Sequence, residues 1–229
     1  ILIGLVGSEM CIRDRSTTTH SLMLFFTNRG RVYKLNAYEV PEGKRTSKGT
    51  AIVNLLQLNP GEKIARTISF NTDSKENEDL KYLLFATKSG IVKKTPISDF
   101  KNINKSGLIA INLKDGDELI GVNRTNGEED IILVTENGMS IRFNENDVRA
   151  MGRTATGVKG ITLSKGDHVV SMDLISNGTD LLVVSEKGFG KRTETEEYRP
   201  QIRAGKGIKT YNINLSLIHI SEPTRPISI

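Results

Sequence analysis

"LMLFFTNRGRVYKL", residues 22–35, sets a pattern that recurs as "KYLLFATKSGIVKK" at 81–94, "DIILVTENGMSIRF" at 130–143 and "DLLVVSEKGFGKRT" at 180–193. In each copy an apolar run ends at Thr or Ser (Thr27, Thr87, Thr135, Ser185), two polar residues follow, and glycine stands at 30, 90, 138 or 188. Runs this short, rich in Val, Ile, Leu and Phe, fall below the length of an ordinary helix and predict buried strands. The T-x-x-G that follows predicts a hairpin on a type I turn, closed by a glycine at positive φ where a Cβ would clash.

The copies keep step beyond the turn. Four residues after the glycine lies a base (Lys34, Lys94, Arg142, Arg192), and nine after it an acid (Glu39, Asp99, Asp147, Glu197). Base and acid are expected to pair within the unit, an interaction worth ~0 to 1 kcal/mol at a surface. A second glycine follows at 49, 107, 157 and 207. Three copies continue into "IVNLLQL", "IAINL" and "GITL", expected to be strands, and then into an acid-bearing turn, "PGEKI", "GDELI" or "GDHVV". A unit of ~50 residues with about four short strands predicts an all-β, propeller-like ring or arc of about four blades. Each blade must pack on its neighbours, because so small a sheet cannot bury both faces alone. The blades are expected at approximately 21–69, 80–123, 129–173 and 179–214, the fourth stopping before its last strand, so that the array is truncated at both ends.

The chain ends fit none of this. Leu5 to Arg15, "LVGSEMCIRDR", and Leu215 to Arg225, "LSLIHISEPTR", can be encoded by the two strands of one stretch of DNA. Inverted terminal DNA of this kind resembles a sequencing adapter read through as protein. Residues 1–15 and 215–229 are therefore expected to be non-native, leaving 16–214 for the fold. A signal segment at Ile1 to Val6 is disfavoured, since the apolar run is short and no small-residue cleavage site follows.

The formal net charge of +5 belongs to the part between these ends, whose own charges (Glu9, Asp14, Glu222 against Arg13, Arg15, Arg225) cancel. The single cysteine, Cys11, and one histidine, His219, fall in the ends. What remains excludes thiol chemistry and a disulfide framework, and suits a reducing cytoplasm. No apolar run approaches the ~20 residues of a membrane helix. His20 and His168 are expected to be ordinary surface or turn residues. No P-loop, metal-ligand cluster or Ser/His/Asp constellation is present, so no catalytic residue, metal or cofactor is expected in this chain.

A basic balance makes a polyanion the first partner to consider. The loop before the second glycine is the richest in positive charge: "PEGKRTSKG", "KNINKSG", "VRAMGRTATG" and "YRPQIRAGKG". Arginine stands four residues before that glycine in three copies (Arg45, Arg153, Arg203), and lysine immediately before it in two (Lys48, Lys206). In the second copy Ile103 and Ser106 take those places, with Lys101 and Lys105 nearby. A glycine-bearing loop brings backbone N–H groups to a phosphate while Arg or Lys neutralises it. The candidate DNA-binding residues are Lys44, Arg45, Lys48, Lys101, Lys105, Arg149, Arg153, Lys159, Arg199, Arg203 and Lys206. Repeated on every blade, such loops would set positive charge at intervals along a curved rim.

"GRVYKLNAYEVPEGKRTSKGTAIVNLLQL", "GLIAINLKDGDELIGV", "DVRAMGRTATGVKGITL" and "GFGKRTETEEYRPQIRAGKGIKT" resemble the C-terminal domain of the bacterial DNA gyrase A subunit, over essentially all of residues 19–214. The resemblance implies a β-pinwheel whose blades exchange strands and wrap double-stranded DNA around a basic perimeter. It also implies partners: the remainder of the gyrase A protein and the gyrase B protein, in an A2B2 holoenzyme that supercoils DNA negatively, using ATP and Mg2+ bound elsewhere. "QIRAGKG" is similar to that family's Q-x-R-G-G-K-G box, which here would be Gln201, Arg203, Gly205, Lys206 and Gly207, with Ala204 in place of a glycine. The nucleophilic tyrosine of the breakage-reunion part has no counterpart in this chain. Two alternatives remain: the similar C-terminal domain of the topoisomerase IV A protein, whose box-like loops are usually poorer, and a propeller serving as a protein-interaction scaffold.

Overall fold

The computed structural model describes residues 17–44, 46–70, 80–185, 188–212 and 220–224, of the last only the backbone. The fold is all-β, with 3-10 turns as its only helical elements among the described residues. Unit 1 carries β1 (Leu22–Thr27), β2 (Arg31–Asn36) and β3 (Ile64–Phe70). Unit 2 carries β4 (Tyr82–Thr87), β5 (Ile91–Pro96), β6 (Leu108–Ile109) and β7 (Leu119–Thr125). Unit 3 carries β8 (Asp130–Thr135), β9 (Met139–Asn144), β10 (Val158–Lys159) and β11 (Val169–Leu174). Unit 4 carries β12 (Asp180–Ser185), β13 (Gly190–Glu194) and β14 (Ile208–Lys209), and β15 (Ile220–Thr224) follows.

These strands form four antiparallel sheets, in the orders β3-β1-β2-β6, β7-β4-β5-β10, β11-β8-β9-β14 and β15-β12-β13. The two-residue strand of each of units 2 to 4 pairs with the second strand of the preceding unit: Arg31 faces Ile109, Val92 faces Val158, and Ser140 faces Ile208. Strand exchange between blades, which the resemblance implies, is therefore present at three successive joints. In the fourth sheet β15 lies on β12, where β3, β7 and β11 lie in theirs. Its residues belong to the 215–229 segment expected to be foreign; the rest of that segment, residues 1–15 and Arg45 lie outside the described residues.

The first strands of units 1 to 3 carry unbroken apolar runs because each faces a core on both sides, whereas in β12 only Leu181 and Val183 are in a core. Leu24 and Phe26 of β1 join Leu83 and Phe85 of β4 in one cluster, while Leu84 and Ala86 point the other way, toward Ile131 and Leu133 of β8. Ile132 and Val134 in turn meet Leu181 and Val183 of β12. A strand sandwiched between two neighbours reads as a continuous hydrophobic run rather than an alternating one. Phe26, Phe85 and Phe100 add edge-on and tilted ring contacts across the first joint, with centroids 5.6 to 6.3 Å apart.

Contacts of β3 with β7, β7 with β11, and β11 with β15 place these strands on the inner side of the arc. The exchanged strands β6, β10 and β14 lie on the opposite, outer edges of their sheets. The T-x-x-G hairpins form as expected: Gly30 N donates to Thr27 O at 3.0 Å, Gly90 N to Thr87 O at 2.9 Å, Gly138 N to Thr135 O at 3.0 Å and Gly188 N to Ser185 O at 2.9 Å. The acid of the later turn ties that turn to the hairpin of its own unit. Glu62 accepts from Thr27 Oγ1 at 2.6 Å and Tyr33 Oη at 2.9 Å, Asp117 from Ser89 N at 2.9 Å, and Asp167 from Asn137 N at 3.0 Å.

Expectations of strand and of ion pairing are corrected. "IVNLLQL" is no strand; it holds a 3-10 turn at Ile52–Asn54, and Ile52, Leu55, Leu56 and Leu58 pack beside Phe25 and Leu35. "IAINL" and "GITL" are irregular beyond the short strands Leu108–Ile109 and Val158–Lys159. In these stretches apolar residues fill a core without an extended partner, which composition alone does not distinguish from a strand. The pairing of the Gly-plus-four base with the Gly-plus-nine acid also fails. Arg142 binds Asp130 at 2.7 Å and Arg192 lies 3.6 Å from Asp180, each acid sitting at the start of the unit's first strand. Lys94 instead crosses to the next unit, with Nζ 3.7 Å from Glu145 Oε2 and donating to Glu145 O at 2.9 Å. Glu39 closes its own 3-10 turn by accepting from Asn36 N at 2.7 Å.

Candidate nucleic-acid interface

In units 2 to 4 the loop before the second glycine runs along the outer edge of the preceding blade. In unit 3, Met151 N donates to Lys94 O at 2.8 Å; in unit 4, Gln201 N donates to Arg142 O at 2.7 Å. Each loop then meets β5 or β9 through its exchanged strand. The second glycine makes this approach sterically possible. Gly157 has φ +107 and a Cβ there would lie 2.6 Å from Val92 O; at Gly207, φ +78, a Cβ would overlap the Ser140 carbonyl. Gly49 has the same handedness, φ +72, but a Cβ there would meet nothing within 4 Å among the described residues.

The arginine four residues before the second glycine has a structural task that sequence reading missed. Arg153 Nη1 donates to Ile109 O at 3.4 Å, and Arg203 Nη1 donates to Lys159 O, the corresponding atom one unit later. Arg203 Nε also donates to Asp147 O at 3.2 Å. Each guanidinium thus hooks its loop to the exchanged strand before it, and both side chains are only half exposed. Their acceptors are backbone carbonyls, which leave no trace in the side-chain pattern. In unit 2, Ile103 stands at that position and is buried in the first core instead.

A buried lysine supports the unit-3 loop from beneath. Lys93 is 0% exposed, donates through Nζ to Ala110 O at 2.7 Å and to Arg153 O, and lies 5.4 Å from the Phe85 ring centroid. Burial, reinforced by the Arg153 guanidinium and opposed by Asp99, lowers its pKa to about 7. Asn112 Nδ2 adds a bond to Thr154 O at 2.7 Å. In unit 4 the same support comes from Thr162, whose N donates to Gly205 O at 2.8 Å and whose Oγ1 donates to Ala204 O at 2.7 Å.

Of the remaining expected ligands, Lys44, Lys48, Lys101, Lys105, Arg149, Lys159, Arg199 and Lys206 are exposed. The structure brings Lys159 and the Arg203 loop together through the Arg203 contact; Arg45 is outside the described residues. Lys209 was missed, although it stands two residues after its glycine, as Lys159 does, and aligning the copies finds it. It is exposed and donates to Asn212 Oδ1 at 2.9 Å. Three outer segments, Lys101–Ala110, Arg149–Gly160 and Arg199–Lys209, contain no Asp or Glu. Seven acids, Glu39, Glu62, Asp117, Asp130, Glu145, Asp167 and Asp180, are instead spent on the turns and ion pairs described above. His168 sits at a turn with Nδ1 2.9 Å from Glu136 Oε2, and among the described residues no cluster of His, Cys, Asp and Glu could hold a metal.

A family described as "DNA gyrase C-terminal domain, beta-propeller" matches residues 22–71, 81–126, 129–176 and 179–215. The DNA gyrase A subunit of Clostridium acetobutylicum is 58% identical over 144 residues, which is 63% of this chain and 17% of that protein. The chain therefore spans a small part of such relatives. Among solved structures, a DNA gyrase A C-terminal domain superposes with a TM-score of 0.76 at 28% identity, over 97% of this chain and 73% of that one. The C-terminal domain of a DNA topoisomerase IV superposes with a TM-score of 0.79 at 32% identity, over 91% and 64%.

Proposed function

Since the chain belongs to the family of DNA gyrase C-terminal domains, we propose that its outer rim binds and wraps duplex DNA without sequence preference. The observation that carries this reading is the succession of acid-free, basic segments on the outer edges of consecutive blades, each presented by an exchanged strand. Lys101 and Lys105, then Arg149, Arg153 and Lys159, then Arg199, Arg203, Lys206 and Lys209 meet the phosphate backbone in turn. Long-range positive potential without acidic interruption favours a long polyanion. Smooth bending of a duplex costs of order 1 to 6 kcal/mol per 20 to 30 base pairs, offset by the contacts the bend allows.

Joined to the remainder of the gyrase A protein and to the gyrase B protein as A2B2, the wrap would present a DNA segment for passage and so support ATP-dependent negative supercoiling in the bacterial cytoplasm. ATP, Mg2+ and the bond-breaking chemistry would belong to those other parts, and this chain would be non-catalytic. The topoisomerase IV reading draws on a similar fold, but the "QIRAGKG" loop and the 58% identity to a gyrase A protein favour gyrase.

The test is the salt dependence of duplex binding. With about 6 to 8 phosphates neutralised, log K against log salt falls with a slope of roughly −5 to −7, and Lys206→Ala lessens it by about 0.9. An affinity indifferent to salt would refute the reading. Ligating nicked circles with the chain bound should then leave a change in linking number if the path is wrapped.

A further inference from the structure

The unit-4 loop fixes every residue around one apolar side chain and leaves that side chain in water. Ile202 is 86% exposed, the most exposed large hydrophobic residue among those described. Before it, Gln201 N is held by Arg142 O; after it, Arg203 is held by Asp147 O and Lys159 O, Ala204 N by Gly160 O at 2.7 Å, and Gly205 O by Thr162 N. Ala204 has φ +69, the only non-glycine residue with positive φ among the described residues. A non-glycine residue persists in that region only where its surroundings over-determine it, and such positions gather at ligand-gripping sites. The rigid loop therefore presents Ile202 at a set place, in an acid-free segment between exposed Arg199 and Lys206. Units 1 to 3 have Lys44, Asn102 and Gly152 at the corresponding position, so the feature is confined to this blade.

We propose that Ile202 is an apolar wedge that enters the base stack of duplex DNA held on the rim. The inference rests on the DNA-binding reading above and adds a local mechanism to it. Phosphate contacts on both sides would hold the duplex against the loop. A β-branched side chain carried on that held backbone between them then parts a base step and kinks the path. Proteins that bend DNA use apolar wedges of this kind, Ile among them, to open a step. Pyrimidine–purine steps unstack most readily and are where the wedge would settle. A rim otherwise blind to sequence thereby acquires a preference for flexible steps at one blade.

The full 229-residue chain is titrated onto a duplex carrying 2-aminopurine at its pyrimidine–purine steps, with binding followed by anisotropy and unstacking by fluorescence intensity. The wild-type chain should raise the intensity as it binds. Ile202→Ala should abolish the rise and weaken binding about two- to five-fold. Ile202→Lys should also abolish it while steepening the salt slope by about 0.9, because a phosphate contact replaces the wedge. Saturated binding without a rise in the wild type, or a rise that persists in both variants, overturns the wedge alone. No change in anisotropy with the wild type overturns the DNA-binding reading and the wedge with it.

Discussion

Replacing Lys93 with Met should alter how stability depends on pH. The ammonium is 0% exposed and burial holds its pKa at about 7 in the folded chain, against 10.5 for the free group. Between those values the unfolded chain binds the proton and the folded chain does not. Stability conferred at this site therefore rises as pH rises from about 7 toward 10.5. From pH 7 to 9 the difference is close to one proton over two pH units, less the half-proton still held at pH 7. At ~1.4 kcal/mol per unit this amounts to about 2 kcal/mol. Lys93→Met removes that slope. It also orphans the carbonyls of Ala110 and Arg153, at ~1 to 3 kcal/mol each, but that loss is the same at every pH. Urea unfolding at pH 7, 8 and 9 should show the wild type gaining on the variant by about 2 kcal/mol over the series. Parallel pH profiles would show that the Lys93 ammonium is not desolvated, and the account of the unit-3 loop resting on it would fall.

Glu145→Ala should destabilise by ~3 to 5 kcal/mol, because it strands the buried Lys94 charge. It also takes the acceptor from Thr125 Oγ1, Gly127 N and Glu129 N; a urea midpoint close to wild type would contradict the geometry. Gly207→Ala and Gly49→Ala impose the same positive φ, a strain of roughly 1 to 2 kcal/mol, but only at Gly207 does a Cβ meet backbone. Hydrogen exchange at Ile208, which pairs with Ser140, should quicken in the first variant and stay unchanged in the second.

Much of the architecture was legible because it is local. Each apolar run, its T-x-x-G turn and its glycine lie within one hairpin, and the turn chemistry fixes the register that Leu24 and Lys34 adopt. Which sheet a two-residue strand joins is decided by a contact across units, and the sequence spacing is the same either way. The same holds for ion pairs: Arg142 has Asp147 five residues ahead, yet strand geometry sets it beside Asp130, twelve residues back. The rim was legible as charge and not as mechanics. Arg153 and Arg203 read as ligands, and beside that proposed role their guanidinium groups spend donors on main-chain oxygens that no sequence pattern marks.

Exchange of the short strands has an evolutionary corollary. Units 2 and 3 each carry both a donor, the strand lent backward, and an acceptor, the edge offered forward. Duplicating one repeat in the gene therefore inserts a matched plug and socket together. The array can lengthen by a blade without exposing a raw edge in its interior, whereas an insertion of half a repeat leaves two. Blade number should accordingly change in whole units among relatives, with the breakpoints falling in the polar stretches between repeats rather than between sheets.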